Sequence, residues 1–177
     1  MSATICTIGF AGKTAEEFFA LLMQAGVQKL IDIRENRVGQ LSGFAKYPDI
    51  AFFLDRIGGM AYSYEPLLAP SPEIRKTYRA NKDWALYEAA FLQLMRDRHV
   101  PQALNLSKYE STVALLCSEP QPDKCHRRLV AELLVQHFSV QGYNIGIRHL
   151  MTDGKGRSTK RVKRSPSPTA SHDRIAH

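Results

Sequence analysis

The chain has only three cysteines and one tryptophan in 177 residues, and no long apolar run. A small, odd number of cysteines gives no disulfide framework, so the thiols are expected to be reduced. Nothing approaches the ~20 consecutive apolar residues that span a bilayer, so no membrane partner is expected. The opening residues MSATICTIGF lack the basic-then-apolar pattern of a secretory signal. These absences together point to a cytoplasmic protein. No internal repeat is visible, which argues against solenoid and propeller architectures.

What is present suits one folded core. The apolar content of 44% over this length is enough for a single domain, expected over residues 1–150. Charge is unevenly placed. Of the formal net charge of +7, residues 151–177 carry +5, with seven Lys/Arg against two Asp. That segment has no apolar cluster and is rich in Ser, Pro, Lys and Arg, so a disordered basic tail is expected there. Its KRVKR run would attract nucleic acid through phosphates, with salt-dependent and sequence-blind affinity. A merely solubilising tail is the plain alternative.

Apolar strands and amphipathic helices alternate along the body. Thr4–Phe10 reads as a strand, and Thr14 with Glu17 forms a capping box for a helix to Ala25. Lys29–Ile33 is a second strand, Asp49 caps a short helix closing at Gly58-Gly59, and Met60–Tyr64 alternates like a third strand. Ser71-Pro72 opens a helical stretch over Glu73–Arg79, followed by another over Asp83–Arg98. A buried strand from Val113, a helix capped by Asp123 and a last strand near Asn144–His149 complete the pattern. Strands separated by helices imply an α/β fold of three layers, Rossmann-like, around a mostly parallel sheet of about five strands.

Ligands of open parallel sheets lie beyond the carboxyl ends of the strands. Those positions here are Gly9 to Lys13, Asp32 to Arg34, and Cys117 to Glu119. Gly12-Lys13-Thr14 resembles the end of a nucleotide-binding loop, but Thr7 stands where that loop needs its first glycine, so ATP or GTP hydrolysis is not expected. A weaker role remains, in which backbone N–H groups at Gly9 and Gly12, with Lys13, hold an anionic ligand. The bland reading is a tight strand-to-helix turn.

The segment VALLCSEPQPDKCHRR concentrates reactive groups. Cys125, His126 and Arg127 fall in the first turn of the expected helix, where a positive dipole end favours a thiolate. Cys117, Cys125 and His126 admit three readings. They could ligate a metal, although a fourth ligand and a second close pair are missing. The two cysteines could form a redox pair if their Cα atoms approach within about 7 Å. Alternatively Cys117 or Cys125 serves as nucleophile, with Glu119 and His126 as acid and base. The Cys-x5-Arg spacing of phosphatase loops is absent: Asp123 and Ala131 stand six places after Cys117 and Cys125. Burial as small apolar groups is the ordinary fate of cysteines, and capping that of His126 and Arg127.

The stretches TIGFAGKTAEEFFALL, LIDIRENR with GFAK, YEPLLAPSPEIRKTYRANKDWALYEAAF and LLCSEPQPDKCHRRLVAELL occur in this order over roughly residues 4–150. In them the chain resembles the family called domain of unknown function 488. The resemblance implies a small bacterial or archaeal α/β protein, sometimes labelled as related to DNA repair. By that likeness Gly9, Asp32, Arg34, Cys117, Glu119, Cys125, His126 and Arg127 match motif positions. The basic tail lies outside the match.

Between Glu73 and Tyr87 the sequence offers a recognition surface. Arg75, Arg79 and Lys82 are spaced for one helical face, and Tyr78, Trp84 and Tyr87 either stack on bases or pack the core. The leading expectation is therefore an enzyme that processes nucleic acid or a nucleotide, by hydrolysis. Arg34, Lys13 and Arg127 would hold its anion, and Glu119 with His126 would move protons. No cofactor is implied, and DNA and RNA are not distinguished. The competing expectation is a non-enzymatic module that binds an anion or metal and meets nucleic acid through the tail.

Overall fold

The computed structural model describes residues 4–39, 42–105, 109, 111–153 and 157–161. A six-stranded sheet runs in the order β3-β2-β4-β1-β5-β6. Its strands are β1 (Thr4–Gly9), β2 (Lys29–Asp32), β3 (Ala61–Tyr64), β4 (Val113–Cys117), β5 (Gly146–Asp153) and β6 (Arg157–Arg161). The first five are parallel and β6 is antiparallel to β5. Helices α1 (Ala15–Gln24), α2 (Asp49–Gly58), α3 (Pro72–Asn81), α4 (Trp84–Asp97) and α5 (His126–Val140) flank it. The expected Rossmann-like architecture is present, with one additional edge strand.

Alternation along the strands builds the three layers. Ala114 and Leu116 face the apolar residues of α1 and α2, while Val113 and Leu115 face those of α4 and α5. The central strand β4 is buried along its whole length, as its uninterrupted VALLC sequence requires. Thr14 and Glu17 make the expected capping box of α1, and Ser71 accepts from the Ile74 N–H at the start of α3.

Four expectations change. Asp123 does not cap α5; the N-cap is Cys125, whose side chain makes no cap hydrogen bond. The Asp123 carbonyl instead accepts from Arg128 Nε at 3.2 Å. Asp49 lies within α2, behind an N-cap at Pro48. Lys82 is beyond the end of α3, at a C-cap with φ 56°, so it does not continue the helical face of Arg75 and Arg79. Finally, β5 extends to Asp153 and residues 157–161 join the sheet, so the first part of the expected disordered tail is strand. The antiparallel ladder supplies backbone hydrogen bonds that a composition-based reading does not register. The remainder of that segment, 162–177, lies outside the described residues.

The order places β4 between β1 and β2, so all three strand ends that bear candidate residues are adjacent. Beyond the strands the chains stay zipped: Phe10 N–H donates to Cys117 O at 3.4 Å, Ala11 N–H to Ser118 O at 3.1 Å, and Ile33 N–H to Leu116 O at 3.2 Å. Gly9 sits where the turn after β4 crosses, and a Cβ there would overlap the Glu119 carbonyl. Gly9→Ala must therefore displace that turn, and overpacking of this kind costs about 1–3 kcal/mol. Urea denaturation of the variant should show that loss with an unchanged slope.

Candidate functional site

The floor of the site is organised by α5. Arg127, Val130, Ala131, Leu134 and Phe138 follow the helical repeat and are all buried, so the register of the apolar stripe carries a guanidinium into the core. Arg127 is 0% exposed. Its Nη1 donates to Cys117 Sγ at 2.7 Å and to the Glu119 carbonyl, and its Nη2 donates to Pro120 O at 3.2 Å. Its Nε has no hydrogen-bond partner among the described residues. No carboxylate pairs with Arg127 among the described residues, which leaves the Cys117 sulfur as its counter-charge.

Cys125 Sγ lies 3.0 Å from Cys117 Sγ. Burial raises the Cys117 thiol, but the Cys125 hydrogen bond and the Arg127 charge outweigh it and bring its pKa down to about 7. Cys125 moves the other way, pushed well up by burial and by the neighbouring sulfur. Cys125 S–H is thus the donor and Cys117 the acceptor. His126 Nε2 donates to the Ile33 carbonyl at 3.1 Å, which leaves Nδ1 as acceptor, 3.9 Å from Cys125 Sγ. Burial lowers the His126 pKa to about 4. The imidazole is therefore neutral over the physiological range.

A second charged knot closes β2. Arg34 Nε donates to Asp32 Oδ1 at 2.8 Å, and Arg34 Nη2 to Asp32 Oδ2 at 2.6 Å and to Ala45 O at 2.9 Å. Tyr62 O–H adds a bond to Asp32 Oδ2 at 2.9 Å. Burial, with Asp32 beside it, pushes the Tyr62 hydroxyl pKa up. The Arg34 guanidinium also lies 5.3 Å from the centre of the Phe10 ring.

Above the floor opens a cleft of about 570 Å3. Of the expected residues, Arg34, Glu119, Cys125 and His126 line it, and Arg75, Tyr78 and Arg79 face it from α3. Gly9, Gly12, Lys13, Asp32, Cys117 and Arg127 are not in its lining. Cys117 and Arg127 lie beneath it, and Asp32 orients Arg34. Gly12 takes the left-handed conformation, with φ 73°, and Lys13 N–H donates to Phe10 O at 3.2 Å in a tight turn. Lys13 is half-buried, and burial followed by the nearby Arg127 charge lowers its pKa.

The model for the family Domain of unknown function DUF488 matches residues 14–134. The chain belongs to this family. No curated protein matches it. Csm6 from Enterococcus italicus, solved bound to cyclic hexa-2'-fluoro-hexa-dAMP, is similar over 89% of this chain and 36% of that one, at 11% identity and a TM-score of 0.43. This DUF488 chain thus spans little more than a third of Csm6, and so remote a likeness carries no argument about activity.

Some lining residues escaped the sequence reading of this DUF488 protein: Glu35, Asn36, Ser118 and Lys124 among them. Glu35, Ser118 and Lys124 each adjoin a residue that was singled out and Asn36 is one place further on, so extending the motifs by one or two positions would have found them. Among the described residues, no group of three or more His, Cys, Asp or Glu is placed to hold a metal ion.

Two expectations follow from these protonation states. The thiolate ultraviolet band should titrate in the native protein with a midpoint near 7, and Arg127→Gln should move it up toward the ordinary thiol value of about 8.5. For His126, the unfolded chain takes a proton near 6.5 while the native state resists until about 4. Its contribution to stability is therefore complete above 6.5 and is lost as pH falls toward 4. Half-buried His149, also lowered by burial, acts in the same direction. Urea midpoints compared between neutral and mildly acidic pH should fall less for His126→Gln than for the native chain.

Proposed function

We propose that the cleft binds a phosphate-bearing ligand, a nucleotide or single-stranded nucleic acid, and that the protein hydrolyses it with Glu119 and His126 moving the protons. The observation that carries this reading is the charge of the cleft wall. Arg34 is matched by Asp32 and Arg75 by Glu35, whereas Arg79, Lys82 and Lys124 have no acidic partner among the described residues. Unmatched cations around a concave site raise the local concentration of anions.

The aromatic wall supports the same class of ligand. Trp84 and Tyr87 stack at 5.0 Å between ring centres, with Tyr78 tilted against them at 5.1 Å from Tyr87. They brace one another, and all three border the cleft. Base stacking on such rings tolerates any sequence and complements phosphate contacts. Glu119 is exposed at the rim, while neutral His126 keeps Nδ1 as a proton acceptor.

Fluorescence anisotropy with labelled single-stranded DNA and RNA tests the binding step. Arg79→Ala with Lys82→Ala should weaken binding by about tenfold at low salt and flatten its salt dependence. Product analysis on the same oligonucleotides tests the chemical step. Glu119→Gln with His126→Ala should bind normally and lose turnover. Undiminished turnover in that double variant overturns the hydrolytic assignment, and binding without turnover in the native chain reduces the reading to a binding module. Equal affinity after loss of Arg79 and Lys82 overturns the cleft as the ligand site.

A further inference from the structure

The sulfur pair beneath the cleft is not needed to bind an anion, yet its geometry is specific. Cys117 is fixed at the end of β4 and Cys125 at the N-cap of α5, on elements packed against the same core. All three cysteines are free thiols. A disulfide bond of about 2.05 Å would need the two sulfurs, now 3.0 Å apart, to close by about 1 Å. We propose that Cys117 and Cys125 are a reversible two-electron couple that reduces a small hydroperoxide reaching them through the cleft.

The surrounding groups divide the work. Arg127 Nη1, 2.7 Å from Cys117 Sγ and 3.8 Å from Cys125 Sγ, holds negative charge on the first sulfur. A thiolate rather than a thiol attacks peroxides, so Cys117 is the nucleophile. Cys125 is only 2% exposed but lines the cleft, so the path inward suits a small oxidant and excludes bulky disulfides. Cys6 is the internal contrast. It packs against the other face of the sheet, and burial raises its thiol to about 11.

The steps balance. The Cys117 thiolate attacks one peroxide oxygen, the O–O bond breaks, and the departing alkoxide takes a proton from solvent to give an alcohol. Cys117 is then a sulfenic acid. The Cys125 sulfur, 3.0 Å from Cys117 before oxidation, then attacks Cys117, the S–O bond breaks, and the Cys125 proton passes to the leaving hydroxide as water. Two thiols and one hydroperoxide thus become one disulfide, one alcohol and one water. An external dithiol restores the pair.

The test is hydrogen peroxide added to the full chain, followed by peptide mapping without reduction. The expected product is a Cys117–Cys125 disulfide with Cys6 still free, reversed by dithiothreitol. Cys125→Ser should stop at a sulfenic acid on Cys117, trapped by dimedone. Arg127→Gln should slow the reaction about tenfold as the thiolate fraction falls. Circular dichroism checks that both variants are folded, and Cys125→Ala replaces Cys125→Ser where that one is not. Oxidation at Cys6 first, over-oxidation of Cys117 without a bridge, or thiols inert in the native chain yet reactive in urea would each overturn the proposal. None of these readouts involves a bound anion, so the couple and the cleft reading fail separately.

Discussion

A guanidinium with no exposed surface must be neutralised where it lies, because a buried charge without a partner is among the costliest features a core can hold. Arg127 is in that position. Among the described residues its counter-charge is the Cys117 sulfur; Nη1 and Nη2 also reach the carbonyls of Glu119 and Pro120, and Nε has no partner. The turn after β4 is thereby drawn down over the end of β1, leaving no room for a side chain at Gly9. One ion therefore joins the Cys125 hydrogen bond in lowering the pKa of a thiol, and it bears on the path of a loop and the identity of a residue more than a hundred positions earlier.

The knot at β2 works by the same electrostatics to a different end. Asp32 takes the Nε–Nη2 edge of the Arg34 guanidinium and the Tyr62 hydroxyl, which ties the end of β2 to β3. A guanidinium satisfied in this way contributes position more than net charge to the cleft. The positive charge without an acidic partner among the described residues comes instead from Arg79 and Lys82 at the end of α3, and from Lys124 before α5. All three side chains are exposed, so their charged heads stay hydrated.

How far the sequence could be read depended on what each signal encodes. The capping box at Thr14, the Ser71-Pro72 start and the apolar run of β4 are local, and each led to the right element. Placing three strand ends together needed only the rule for parallel sheets and the fact that β4 falls between β1 and β2. Asp123 was a good cap by type, but the proline-rich turn delays the helix until after Cys125. The burial of Arg127 was legible in principle, since it shares the stripe of Val130, Ala131 and Leu134; reading it as an anion-holding or capping group concealed it. Strand β6 carries no alternation of apolar residues, so its pairing with β5 was not accessible from composition.

The separation between floor and wall follows from that inventory. Arg127 donates to the Cys117 sulfur at 2.7 Å, and burial beneath the cleft keeps both groups off its lining. An anion entering the cleft would therefore meet the cations of α3 and Lys124 rather than the sulfurs. The first turn of α5, from which Arg127 was expected to hold the anion, is spent differently: His126 is turned to the Ile33 carbonyl and Arg127 to the core. On the two proposals, recognition of charge and storage of a reactive thiol fall to different groups, and the short turn from Cys117 to Cys125 is what keeps them adjacent.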